Sequence, residues 1–204
     1  AVIVECNKYK RTGLKNGLFD EKRVIIVCST TGNADAPDNC DRFWRYIKRR
    51  SHPSDLLKGL EYCVLGLGDT NYDKFCYMGE MIDKRMSELG AHRFYHLGKA
   101  DDAVGLETVV EPWIDGLLQI VNIQEDDNNN INNNNNNEKK ESNNIIGQQL
   151  KAENTPQFDE MVNDNRLLIM YGSQTGVAES IAKSLHEKIV LNNTLQNNSN
   201  IEAV

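Results

Sequence analysis

The chain has 204 residues, 39% of them hydrophobic, with a formal net charge of −7 and a mean hydropathy of −0.57. That length holds one domain of ordinary size plus extra segments. The acidic balance argues against a nucleic-acid binder, which shows a basic patch and a high pI; it suits docking to basic protein surfaces or plain solubility.

In chain order, "AVIVEC" (Ala1–Cys6) and "VIIVCS" (Val24–Ser29) are β-branched runs that read as buried strands. "DNCDRFWRYIKRR" follows as a helix, with Phe43 and Ile47 four apart and Asp38 as its expected N-cap. "EYCVLGLGD" is a strand ending in a Gly-rich turn. "FCYMGEMIDKRMSELG" places Phe75, Met78, Ile82, Met86 and Leu89 on one helical stripe, with Gly90 as the stop. "HRFYHLG" reads as one further strand. "GLETVVEPWIDGLLQI" puts Leu106, Val109, Val110, Trp113 and Leu117 on one face, and Pro112 is expected to break or kink that helix.

From Asp126 to Asn144 the sequence is "DDNNNINNNNNNEKKESNN", which has too little apolar surface to offset the entropy of ordering it. Residues 121–164 are therefore expected to be a disordered linker between a segment covering 1–120 and a last segment covering 165–204. The last segment opens with "LLIMYGSQTGVAESIAKSLHEKI" (Leu167–Ile189): a buried strand, a turn rich in Gly, Ser and Thr, and an amphipathic helix.

The five cysteines are odd in number and form no CxxC pair, which favours neither a disulfide framework nor a zinc site and fits a reducing, cytoplasmic setting. Cys28 and Cys63 lie in apolar runs and are expected in the core. The four histidines form no motif. No stretch approaches the roughly 20 apolar residues of a membrane span, and the first residues do not read as a signal peptide.

Buried strands alternating with helices predict an α/β fold, a doubly wound parallel sheet of five strands, four before the linker and one after it. Ligands of such sheets bind outside the carboxyl ends of the strands. Three loops belong there: "GSQTGVA", "STTGNADAPDN" and "GLGDTNYDKF". The first joins a strand to a helix N-terminus, where unpaired N–H groups and the helix dipole suit a phosphate. It lacks the lysine of a GxxxxGK[ST] loop and is not GxGxxG, so a magnesium-nucleotide hydrolase and a dinucleotide site are both disfavoured. In the third loop Tyr72 is placed to stack on a planar ligand. One phosphate and one flat ring describe flavin mononucleotide (FMN). No metal-ligand spacing and no Ser–His–Asp or Cys–His set is visible.

On "GSQTG", "CSTTGNADAPDN" and "LGLGDTNYDKFCYMGEMIDKRMSELGAHRFYHLGKADDAVGLETVVEPW", the chain resembles flavodoxin and the FMN domains of diflavin reductases. "KADDAVGLETVVEPW" is most similar to the methionine synthase reductases among these. The resemblance covers everything except the linker and implies a flavodoxin-like sheet in the order 2-1-3-4-5. It implies that Ser173, Gln174, Thr175, Gly176, Val177 and Ala178 hold the FMN phosphate. Ser29, Thr30, Thr31, Gly32 and Asn33 would border the ring; Gly68, Asp69, Tyr72 and Phe75 would cover its other side; Asp101 and Asp102 would form an acidic rim. Two departures stand out: Thr31 where microsomal relatives carry an aromatic, and Ala34 where many relatives have glycine.

The resemblance further implies electron transfer from an FAD/NADPH reductase module to cobalamin-dependent methionine synthase, with FAD and NADPH held outside this segment. The alternatives are the FMN domain of another diflavin reductase, an FMN-free interaction module of the same fold, and a phosphate-sensing domain. Because Leu167–Ile189 resembles the first unit of the family, the chain is expected to be a circular permutant, with "SNIEAV" and "AVIVEC" both belonging to the second strand. The alternative is a fragment of a tandem repeat. A monomer is expected, with a domain-swapped dimer as a further possibility.

Overall fold

The computed structural model describes residues 1–9, 18, 21–121 and 167–201, with side chains to 195. The expected linker at 121–164 lies outside the described residues except for Val121.

Six parallel strands form one sheet: β1 (Val2–Glu5), β2 (Arg23–Ser29), β3 (Glu61–Gly68), β4 (His92–Arg93), β5 (Gly98–Asp101) and β6 (Leu167–Gly172). Their order is β1-β6-β2-β3-β4, with β5 also on β3. The late strand β6 is thus inserted between the two earliest: Leu168 faces Val2 on one side and Val24 on the other. This is the expected 2-1-3-4-5 arrangement, with the fifth position divided. "HRFYHLG" is not one strand. His92–Arg93 pairs with the start of β3 and Gly98–Asp101 with its end; after a last bond from the Phe94 amide to the Tyr62 carbonyl at 3.0 Å, 95–97 leave the ladder. There Tyr95 packs at a tilt against Trp113, which donates to the His96 carbonyl at 2.9 Å, so side-chain packing replaces backbone pairing.

Strand residues alternate between two cores, as the two-residue period of a pleated strand requires. Val24, Ile26, Cys28, Tyr62, Val64, Leu168 and Met170 face one core. Ile25, Val27, Cys63, Leu65, Leu167 and Ile169 face the other. Helices α1 (Asp38–Ile47) and α2 (Tyr77–Glu88) cover the first core, and α3 (107–121) and α4 (Val177–Ile201) the second. All five cysteines are buried free thiols.

Four expectations need correction. Asp38 is the first helical residue of α1 and not its cap; Pro37 holds that place, its backbone extended at ψ 151°. Pro112 does not end α3, which is continuous through it. Pro112 and Thr108, whose carbonyl loses a partner, are both exposed, so water can replace the missing bond. Val121, assigned to the linker, is the buried last described residue of α3. Residues 199–201 continue α4 as helix and do not join a strand, because the helix runs on past Ile189.

Candidate functional site

The turns after β2, β3 and β6 converge at the carboxyl edge of the sheet around a cavity of about 470 Å³. That size lies within the range of small-ligand sites. Each loop is anchored before any ligand is considered.

After β6, Gly172 is required by close packing: a Cβ there would sit 2.8 Å from the Cβ of Cys40 and 3.0 Å from the sulfur of Cys28. The loop then turns into α4. The Ser173 hydroxyl accepts from the Gly176 and Ala178 amides at 3.0 and 3.2 Å, capping the helix. The Ser173 amide donates to Asn39 Oδ1 at 2.8 Å, and Gln174 Oε1 accepts from the Asp38 amide at 3.2 Å, tying the loop to the start of α1. The amides of Gln174, Thr175 and Val177 and the Thr175 hydroxyl have no hydrogen-bond partner among the described residues. Three unpaired N–H groups at the N-terminus of a long helix make an anion site, since the aligned peptide dipoles add about half a positive charge there.

After β2, Thr31 and Asp35 close a short turn with two backbone hydrogen bonds of 3.0 and 2.8 Å. Inside it Ala34 holds φ at 78°, a left-handed conformation that favours glycine. Thr30 is committed elsewhere: its hydroxyl accepts from the Met78 amide at 3.1 Å, at the start of α2.

After β3, a Cβ on Gly68 would meet the Cys76 amide nitrogen at 2.4 Å, so only glycine lets the loop fold back onto α2. Burial pushes the Cys76 thiol up to about 12, making it a packing group. Asp69 Oδ1 accepts from the Asn71 amide at 2.7 Å, shaping the turn that presents Tyr72 at 65% exposure.

The structure brings ten of the sixteen expected binding residues to the cavity wall: Ser29, Thr30, Thr31, Gly32, Gly68, Asp69, Tyr72, Gln174, Thr175 and Val177. The other six are not on that wall. Ser173 and Gly176 serve the helix cap, and Ala178 is fully buried in the α3–α4 core. Asn33 is exposed on its turn. Phe75 lies under Lys99, whose Nζ is 5.0 Å from the ring centroid. Asp101 turns to the neighbouring loop. Its carboxylate accepts from the Thr70 hydroxyl at 2.7 Å and from the Thr70 and Ala103 amides at 3.0 Å each. The Thr70 hydroxyl foremost holds the Asp101 carboxyl below its ordinary value. Asp102 does line the cavity, together with Leu67, Lys74 and Leu106, which sequence reasoning missed as wall residues.

The family described as Flavodoxin matches residues 1–113. The chain belongs to the flavodoxin family. Curated relatives of this flavodoxin-family chain include methionine synthase reductase of Bos taurus, 56% identical over 94 residues, which are 46% of this chain and 14% of that protein. The Caenorhabditis elegans protein of the same name is 50% identical over 101 residues, 50% of this chain and 15% of its own. NADPH-dependent diflavin oxidoreductase 1 of Danio rerio is 43% identical over 99 residues, 48% and 17% respectively. The chain therefore spans about one seventh of the length of the first of these relatives. Among solved structures, a flavodoxin from Pseudomonas aeruginosa is 31% identical, covering 48% of this chain and 66% of its own, with a TM-score of 0.41.

FMN is the cofactor that family membership implies, and the wall of this cavity suits it. Unpaired amides at the start of α4 match a phosphate, and an exposed tyrosine two strands away matches a ring. Among the described residues no helix is long and apolar enough to cross a membrane.

Proposed function

We propose that this domain carries FMN between the turns after β6, β2 and β3 and serves as an electron-carrying domain. The observation that carries the reading is the set of unpartnered amides at Gln174, Thr175 and Val177, opening on the same cavity as Tyr72. Bound FMN supplies a centre that accepts electrons in pairs and releases them singly. The chain's own residues do the rest. The loop after β6 donates to the phosphate, and Tyr72 covers one ring face. Leu67, Leu106 and Val177 keep part of the wall apolar and exclude water, while the open edge leaves the ring reachable by partners.

The finer reading is that electrons arrive from an FAD/NADPH module and leave to cobalamin in methionine synthase. It is supported by the greater identity to the methionine synthase reductases than to the zebrafish diflavin oxidoreductase. FMN titration into the purified chain tests the cofactor: flavin fluorescence should quench to a sharp end point at one FMN per chain. An absence of quenching at micromolar concentration ends the carrier reading. Mixing the reduced, loaded chain with methionine synthase tests the acceptor. Persistence of the reduced spectrum would leave the carrier role standing and remove this acceptor.

A further inference from the structure

Lys74 stands on the cavity wall two residues after Tyr72, and among the described residues it is the one cation that lines it. Two carboxylates, Asp69 and Asp102, share the wall. Lys74 forms no ion pair with a described residue; its Nζ lies 5.3 Å from the centroid of the Tyr77 ring. Lys99 makes the contrast, since its ammonium is neutralised by Glu80 at 2.6 Å. The sheet order then says which part of a ligand meets this charge. The phosphate-side loop follows β6, β2 comes next, and the loop with Lys74 follows β3. Two strand spacings separate the loops by about 10 Å. The ammonium therefore belongs to the ring half of the cavity.

Resting on the FMN reading above, we propose that Lys74 is a redox-tuning residue. It favours the reduced ring over the oxidised ring and opposes the two acids on the same wall. The oxidised ring is neutral. Uptake of two electrons from a donor and one proton from water leaves it with one negative charge. A fixed cation gains attraction in that step, and a fixed anion loses by it. Lys74 is exposed, so the water-like limit of Coulomb's law applies, and at about 6 Å this is about a threefold effect on an equilibrium.

FMN binding is measured to the wild-type chain, Lys74→Gln, Lys74→Glu and Asp102→Asn, first oxidised and then reduced by dithionite under nitrogen. The readout is the ratio of oxidised to reduced dissociation constants. It should fall about threefold in Lys74→Gln and further in Lys74→Glu, rise in Asp102→Asn, and converge toward wild type in molar salt, where the Debye length is about 3 Å. An unchanged ratio in both lysine variants overturns the proposal. So does an equal rise in both constants, which would assign the ammonium to the phosphate, whose charge does not depend on redox state. Failure of the wild-type chain to bind FMN in either state would instead remove the cofactor reading itself.

Discussion

The two halves of the cavity are made of different material. The half proposed for the phosphate is backbone: its donors are amides of Gln174, Thr175 and Val177, fixed by the Ser173 cap and by contacts to Asn39 and Asp38. The half proposed for the ring is side chain: Tyr72, Lys74, Asp102 and Leu106 line it. Backbone donors need no rotamer to be frozen and act at full strength on an anion. Exposed side chains adapt, and each contributes little. Affinity should come mainly from the first half, and redox behaviour and partner preference from the second.

Removing the phosphate should have the largest effect. A hydrogen bond to a charged group is worth about 1.5–3 kcal/mol. Three amides sharing one phosphate non-additively give about 3–6 kcal/mol, or on the order of a hundred- to ten-thousandfold. Riboflavin should bind that much more weakly than FMN by fluorescence quenching. Thr175→Ala, which deletes a hydroxyl but no amide, should cost about 1–3 kcal/mol of FMN affinity. Equal affinities for the two flavins would break the division between the halves.

The ring half should yield a smaller number. Tyr72→Ala removes the one aromatic side chain that lines the cavity among the described residues, and an aromatic contact is worth about 0.5–1.5 kcal/mol beyond its area. FMN affinity should fall roughly three- to tenfold. The visible spectrum of bound flavin should shift and the melting temperature of the FMN-free chain should not, because Tyr72 is 65% exposed and supports no core. A fall as large as that for riboflavin would make the ring half a principal source of affinity and erase the contrast.

The same contrast explains what could be read from the sequence. Strand periods, loop positions and the place of Leu167–Gly172 between Val2–Glu5 and Arg23–Ser29 follow from apolar alternation and from the resemblance, and the ladder has that order. Loop membership was legible in the same way. Side-chain direction was not. Asp101 and Asp102 are adjacent and chemically identical, yet one braces Thr70 and the other lines the cavity. Phase along an irregular turn decides between them, and no period governs it. Lys74 was missed for a related reason: its only signal was proximity to Tyr72. The break in the strand at 95–97 depends on Trp113, which lies in another element.

Asp101 should give the smallest effect. It joins the turn holding Tyr72 and Lys74 to the segment holding Asp102 through two hydrogen bonds accepted from Thr70, with a third accepted from the Ala103 amide of its own segment, and its carboxyl is held below the ordinary 3.8, chiefly by the Thr70 hydroxyl. A carboxyl depressed in the folded state contributes stability that is complete above its unfolded value. That contribution is lost as pH falls through the lower folded value. The brace should therefore be constant from about pH 5 to pH 8 and loosen only below about pH 4. Asp101 is only partly covered, so the change should be a minor acid-side drop in affinity. Phosphate-half binding offers the internal control: riboflavin, which lacks the phosphate, should show the same drop, because the brace serves the ring half alone. Asp101→Asn keeps a single acceptor oxygen and cannot titrate, so its affinity should be slightly lower at pH 7 and should not show that component of the drop. Identical profiles for wild type and Asp101→Asn between about pH 3 and pH 7 would show that Asp101 does not brace the ring half.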